Sequence, residues 1–126
     1  MSDRTFLDWP FFEPQHRELA AALEAWCETN LPVDHGDVDA ACHGLVAALG
    51  EAGLLHHSGA GVGEKLDVRS LCLIRETLAR HDGLADFAFA MQGLGMGAVS
   101  LFGTPDQREG MGAFIEKRAP HFGPGR

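Results

Sequence analysis

Positive charge is scarce in this 126-residue chain: 10 Lys and Arg stand against 18 Asp and Glu, a formal net charge of −8. That excess repels phosphate backbones and anionic headgroups, which argues against nucleic acid and membrane surfaces as partners. The deficit is uneven. Residues 1–50 hold nine acidic and two basic side chains, whereas residues 103–126 hold three acidic and four basic ones. The two ends therefore differ in origin or in neighbours. Cysteine is sparse as well. Cys27, Cys42 and Cys72 are an odd set, each inside a helical pattern. They argue against a disulfide framework and predict buried free thiols in a reducing cytosol. The opening MSDRTFLDWPFF lacks a basic region backed by an apolar run, so no signal peptide is expected. Period-two alternation, internal repeats and long linkers are missing too, which leaves helices.

One further absence organises the chain. From Phe87 to Pro105 no residue is charged. A helix that is apolar nearly all round is buried on every side, so this segment is expected at the centre of the molecule. Ala90→Asp should then cost on the order of 3–5 kcal/mol, and Ala21→Asp, on a charge-rich helix, about 1 kcal/mol or less. The run is also long enough for a membrane span, with Gly93 and Gly97 at G-x-x-x-G spacing. Gln92, Ser100, the glycines and the lack of a basic flank speak against that reading, and no membrane is expected.

What is present predicts an all-α fold, an orthogonal or up-down bundle of four core helices plus a C-terminal fifth. Helix one spans about 14–30, with Pro14 at its first position and Phe12, Leu19, Leu23 and Trp26 on one stripe. Helix two spans about 38–52, capped by Asp37, with Val38, Cys42, Leu45, Val46 and Leu49 inward and Gly53 as its stop. His56 to Gly63 reads as an irregular loop. Helix three spans about 68–81, capped by Asp67, with Leu71, Ile74 and Leu78 inward. Asp82-Gly83 breaks the chain before helix four, about 84–102. Thr104, Pro105 and Gln107 open helix five, about 105–118, with Met111, Phe114 and Ile115 apolar; Pro120, Gly123, Pro124 and Gly125 stop it.

No complete active site can be assembled from spacing. Gly93-Leu-Gly95-Met-Gly97-Ala98 fits the dinucleotide pattern G-x-G-x-x-A, but too few residues follow before Gly103-Thr104-Pro105 for the helix it needs. Gly59–Lys65 lacks the Gly-Lys-Ser/Thr ending of a phosphate loop. Cys42-His43, His56-His57 and the Asp34, His35, Asp37, Asp39 group lack the paired spacing of a metal site. No nucleophile–histidine set stands out, and no catalytic residue is assigned.

Four stretches carry a resemblance. FFEPQHRELAAALEAWCETNLP opens the chain; LVAALGEAGLL follows; then LDVRSLCLIRETLARHDG, with Glu76, Leu78, Ala79, Arg80 and Asp82; then LFGTPDQREG. In this order they resemble the N-terminal α-helical domain of acyl-CoA dehydrogenases over residues 12 to about 110. A second, shorter likeness covers DQREGMGAFIEKRAPHF, which is similar to the C-terminal helix of enoyl-CoA hydratases. The resemblances divide the chain into residues 1–103 and a C-terminal helix and tail, 104–126.

The first resemblance implies FAD-dependent α,β-dehydrogenation of an acyl-CoA. It implies equally that the flavin contacts and the catalytic carboxylate lie in a middle β-domain and a C-terminal bundle outside these residues. The chain is thus expected to be a truncated, cytoplasmic form, inactive alone and without a cofactor of its own. It would meet acyl-CoA only when completed by other domains. By alignment with the family, helix four lines the acyl cavity, with Phe87, Ala90, Met91 and Leu94 as wall candidates. The competing reading makes these four plain core. A different function class, an interaction module that docks or self-associates through apolar helix faces, stays open. A complete small enzyme is disfavoured because no base, nucleophile or cofactor site is visible.

Overall fold

Helix starts leave backbone N–H groups without partners, and in this chain short polar side chains supply them. In a computed structural model, which describes residues 3–59 and 64–123, the helices are α1 (Pro14–Asn30), α2 (Val38–Glu51), α3 (Val68–His81), α4 (Gly83–Phe102) and α5 (Pro105–Ile115). Two 3-10 turns, Thr5–Asp8 and Leu54–Ser58, complete the order, and the described residues contain no strand. Asp37 accepts from the Ala40 amide at 3.0 Å, and Asp67 from the Arg69 amide at 3.1 Å. Thr104 and Gln107 cap reciprocally: the Gln107 amide donates to Thr104 Oγ1 at 3.2 Å and the Thr104 amide to Gln107 Oε1 at 2.8 Å.

Packing follows the apolar stripes. α3 lies against both α1 and α4, α4 also meets α2 and the Leu54–Ser58 turn, and α5 packs on α4. The core is one cluster: Leu23 and Cys27 from α1, Leu45 and Leu49 from α2, Leu54, Ile74 and Leu78, and Ala85, Ala88 and Phe89 from α4. Burial in this cluster pushes the Cys27 thiol up to about 11, helped by the Glu24 charge, so it is an inert core group.

Several expectations need correction. α4 is not buried on every side: Ala85, Ala88 and Phe89 face the core, while Leu94 is 70% and Phe102 87% exposed. Ala90 is only half-buried. Val38, at the first turn of α2, is exposed, and so is Cys72, while Cys42 is half-buried. The first half of the expected loop is a 3-10 turn, because Gly53 takes a left-handed φ of 75° and turns Leu54 into the core; residues 60–63 lie outside the described residues. α5 stops at Ile115 rather than 118. Lys117 adopts a left-handed φ of 52°, and the Arg118 amide returns to the Ala113 carbonyl at 3.0 Å. The side chain of Ile115, and Pro124 and Gly125, lie outside the described part.

By length and composition α4 could cross a membrane, with mean hydropathy 1.3. It packs against α2, α3, α5 and the Leu54–Ser58 turn, yet much of its apolar surface stays open.

Candidate functional site

Phe87, Ala90, Met91 and Leu94 sit at i, i+3, i+4 and i+7, so one face of α4 carries them all. That face points away from the core. Phe87 is 55% and Met91 40% exposed. Leu94 is 70% exposed and Ala90 half-buried, so the plain-core reading fails for the three large side chains. The open face continues down the helix through Leu101 and Phe102.

The start of α4 is held firmly. Asp82, itself 5% exposed, accepts from the Leu84 amide at 2.9 Å, from the Val33 amide at 3.0 Å and from His35 Nε2 at 3.0 Å. One carboxylate thereby joins the α3–α4 corner to the segment that follows α1. Burial pushes the Asp82 carboxyl up, but the bonds from His35, Val33 and Leu84 outweigh it and hold it below the usual range. Four residues on, Arg75 of α3 grips Asp86 at 2.9 and 3.0 Å. This pair fixes the rotation of α4 immediately before Phe87.

Two further polar joints were not legible as such. His16 is completely buried. Its Nδ1 accepts from the Glu13 amide at 3.0 Å, so the ring proton sits on Nε2 and is donated to Asp67 Oδ2 at 2.8 Å. Burial pushes the Asp67 carboxyl up, but the His16 and Ser70 bonds win and hold it well below the usual range. Glu24 of α1 meets Arg80 at 2.8 and 3.3 Å and His81 at 2.7 Å. Each of these carboxylates is engaged by protein partners. They fasten α1 to α3 and offer no free base.

A cavity of about 460 Å³ lies on the other side of α4. Met96, Val99 and Ser100 line it from α4, with Arg108, Met111 and Gly112 from α5. Its charged rim is occupied internally: Arg118 pairs with Glu109 and Glu116, and Arg108 reaches the Val99 and Leu101 carbonyls at 3.4 Å. These contacts bind α5 and the tail to the end of α4. None of the four wall candidates lines this cavity.

Gly93 to Ala98 lie wholly inside α4. Their amides belong to the helical ladder, so the G-x-G-x-x-A pattern presents no phosphate cradle. Three of the metal candidates are occupied otherwise. His35 faces Asp82, Asp37 caps α2, and Asp34 accepts from the Gly36 amide at 3.0 Å. Among the described residues no group of three or more His, Cys, Asp or Glu could hold a metal ion.

The profile of the family described as "Acyl-CoA dehydrogenase, N-terminal domain" matches residues 13–112. The chain belongs to this family. The match takes in α1 to α4 of this acyl-CoA dehydrogenase N-terminal domain and continues into α5. Among curated proteins none matches the chain.

Proposed function

We propose that this acyl-CoA dehydrogenase N-terminal domain supplies one wall of an acyl-chain site, formed by Phe87, Ala90, Met91 and Leu94, and performs no chemistry alone. The observation that carries this reading is the open, uncharged face of α4 in a member of this family. The four side chains are suited to a hydrocarbon. They hold no charge and no strong hydrogen-bonding group, and each methylene covered contributes about 0.8 kcal/mol. Met91 is unbranched and polarisable, so it adapts to chains of different curvature. An open face binds weakly, and the opposite wall comes from another domain.

The family's reaction uses FAD as hydride acceptor and a carboxylate to take the α-proton. The described residues do not fit a flavin. The glycine pattern is inside a helix, and in the cavity between α4 and α5 Arg118 is already paired with Glu109 and Glu116, so it is not held ready for a pyrophosphate. Glu24, Asp67 and Asp82 are engaged in structural joints. Cofactor and base are thus assigned to domains other than this one. The segment from residue 104 onward is read as a second unit that packs on the Met96, Val99 and Ser100 side of α4 and leaves Leu101 and Phe102 open. A reducing cytosol suits the three free cysteines.

The purified chain tests the second half of the proposal. It should show no stoichiometric flavin band and no turnover of acyl-CoA with an artificial electron acceptor. A flavin band, or turnover that tracks the protein, would overturn it. The alternative, a non-enzymatic docking module, draws on the same open face together with Phe114, 85% exposed on α5. A partner-dependent role for Phe114 with none for Ala90 would favour that reading.

A further inference from the structure

Exposed apolar residues of α4 follow a particular rhythm. Phe87, Met91, Leu94, Ala98 and Leu101 are spaced four, three, four and three residues apart, and all five are exposed. This is the 3.5-residue repeat of a helix seam that receives another helix at a shallow angle. No charge interrupts it, because Phe87 to Pro105 contains none. Asp86 at its edge is already neutralised by Arg75.

We infer that the partner is a second copy of this chain, with the two α4 helices packed antiparallel about a two-fold axis near Met96. This deepens the reading of the α4 face as one half of an apolar site, for it names what covers the face when no other domain does. The register follows from side-chain size. Antiparallel pairing about residue 96 sets Leu94 against Ala98 of the second copy, Met91 against Leu101, and Phe102 against Ala90. Two of the three pairs set a large side chain against a small one, and two-fold symmetry repeats each pair. The opposed helix dipoles also favour this direction.

The area suffices. Phe87 is 55%, Met91 40%, Leu94 70%, Leu101 56% and Phe102 87% exposed. With about 150–250 Å² for a whole large side chain, this amounts to roughly 460–770 Å² per copy. Pairing two copies buries at most about 900–1,500 Å², around the lower bound for a specific interface. An exposed patch of this size is at the upper end for a monomer. The net charge of −8 on each copy opposes the approach, so the dimer tightens as salt rises.

Sedimentation velocity of the whole chain across a concentration series at two ionic strengths tests this. A monomer–dimer equilibrium that tightens with salt is expected, and Leu94→Glu should weaken it at least tenfold. Leu94 is 70% exposed, so the variant keeps its helical circular dichroism and its thermal midpoint. Register is read by cross-linking in a Cys42→Ala, Cys72→Ala background. Leu94→Cys mixed with Ala98→Cys should form a disulfide dimer faster than either variant alone. A monomer under all conditions, a Leu94→Glu dimer as tight as the parent, or Leu94→Cys linking fastest to itself would overturn the proposal. None of these readouts touches the acyl-wall reading, which stands or falls on substrate chain length.

Discussion

Glu24 and Arg80 form a two-pronged ion pair at 2.8 and 3.3 Å, 56 residues apart in the chain, and so fasten α1 to α3. His81 adds a bond of 2.7 Å to the same carboxylate, and Arg4 approaches at 3.3 Å. Glu24 is thus the acidic centre of a joint whose other members come from two places in the sequence, Arg4 and the adjacent Arg80 and His81.

This joint makes stability depend on acid. The Arg80 bond, aided by His81 and opposed by burial, brings the Glu24 carboxyl down from 4.5 to about 2. A carboxyl lowered in the folded state contributes stability that is fully present above its unfolded value and lost as pH falls through its folded value. For Glu24 that window runs from 4.5 down to about 2. Asp67 and Asp82 are lowered as well and act in the same direction. Urea midpoints measured against pH should therefore fall below pH about 4.5. Glu24→Gln should lose roughly 1–3 kcal/mol at neutral pH, with the gap to the parent closing towards pH 2. A constant gap across that range would mean that the pair is not formed.

Substitutions on the two sides of α4 should differ sharply. Ala88 is 4% exposed and meets the core, while Ala98 is exposed. Ala88→Asp buries an unpaired charge and should cost about 3–5 kcal/mol. Ala98→Asp should cost about 1 kcal/mol or less. Equal losses in chemical denaturation would mean that the helix is rotated from the orientation described.

Asp82 should be the most sensitive cap. Asp82→Ala removes the α4 cap and leaves the Val33 amide without its partner. A cap is worth about 0.5–2 kcal/mol, and an orphaned donor adds about 1–3 kcal/mol. Hydrogen exchange at Val33 and Leu84 should accelerate together, whereas Asp37→Ala should affect only the first turn of α2. Unchanged protection at Val33 would show that the carboxylate does not hold that segment.

Much of this architecture was legible in the residues. Asp37, Asp67 and Thr104 announced three helix starts because a short oxygen-bearing side chain before an apolar run has few other roles there. Gly53 announced the end of α2 through its tolerance of a left-handed φ. The orientation of α4 was not legible. A run without charge is consistent with burial on all sides or with burial on one side and a second face kept apolar for a partner, and composition does not separate the two. His16 was missed because an apolar stripe was counted from Phe12 to Leu19 without it. Yet it lies one turn before Ala20 and two before Leu23, and that spacing could have marked it as inward. The partnership of Glu24 with Arg80 and His81 depends on how α1 crosses α3, which no local pattern encodes.

The most direct measurement concerns the wall itself. Residues 13–112 would replace the N-terminal helical domain of an active acyl-CoA dehydrogenase, and kcat/KM would be measured over a series of acyl-chain lengths. Ala90→Phe fills space along the half-buried edge of the face, so the preferred chain should shorten. Each methylene displaced is worth about 0.8 kcal/mol, or about fourfold in kcat/KM. The longest substrates should therefore lose most and the shortest almost nothing, while Ala21→Phe on the exposed side of α1 leaves the profile alone. A profile that keeps its shape with Phe at position 90 would contradict the account, because α4 would then not line the acyl chain.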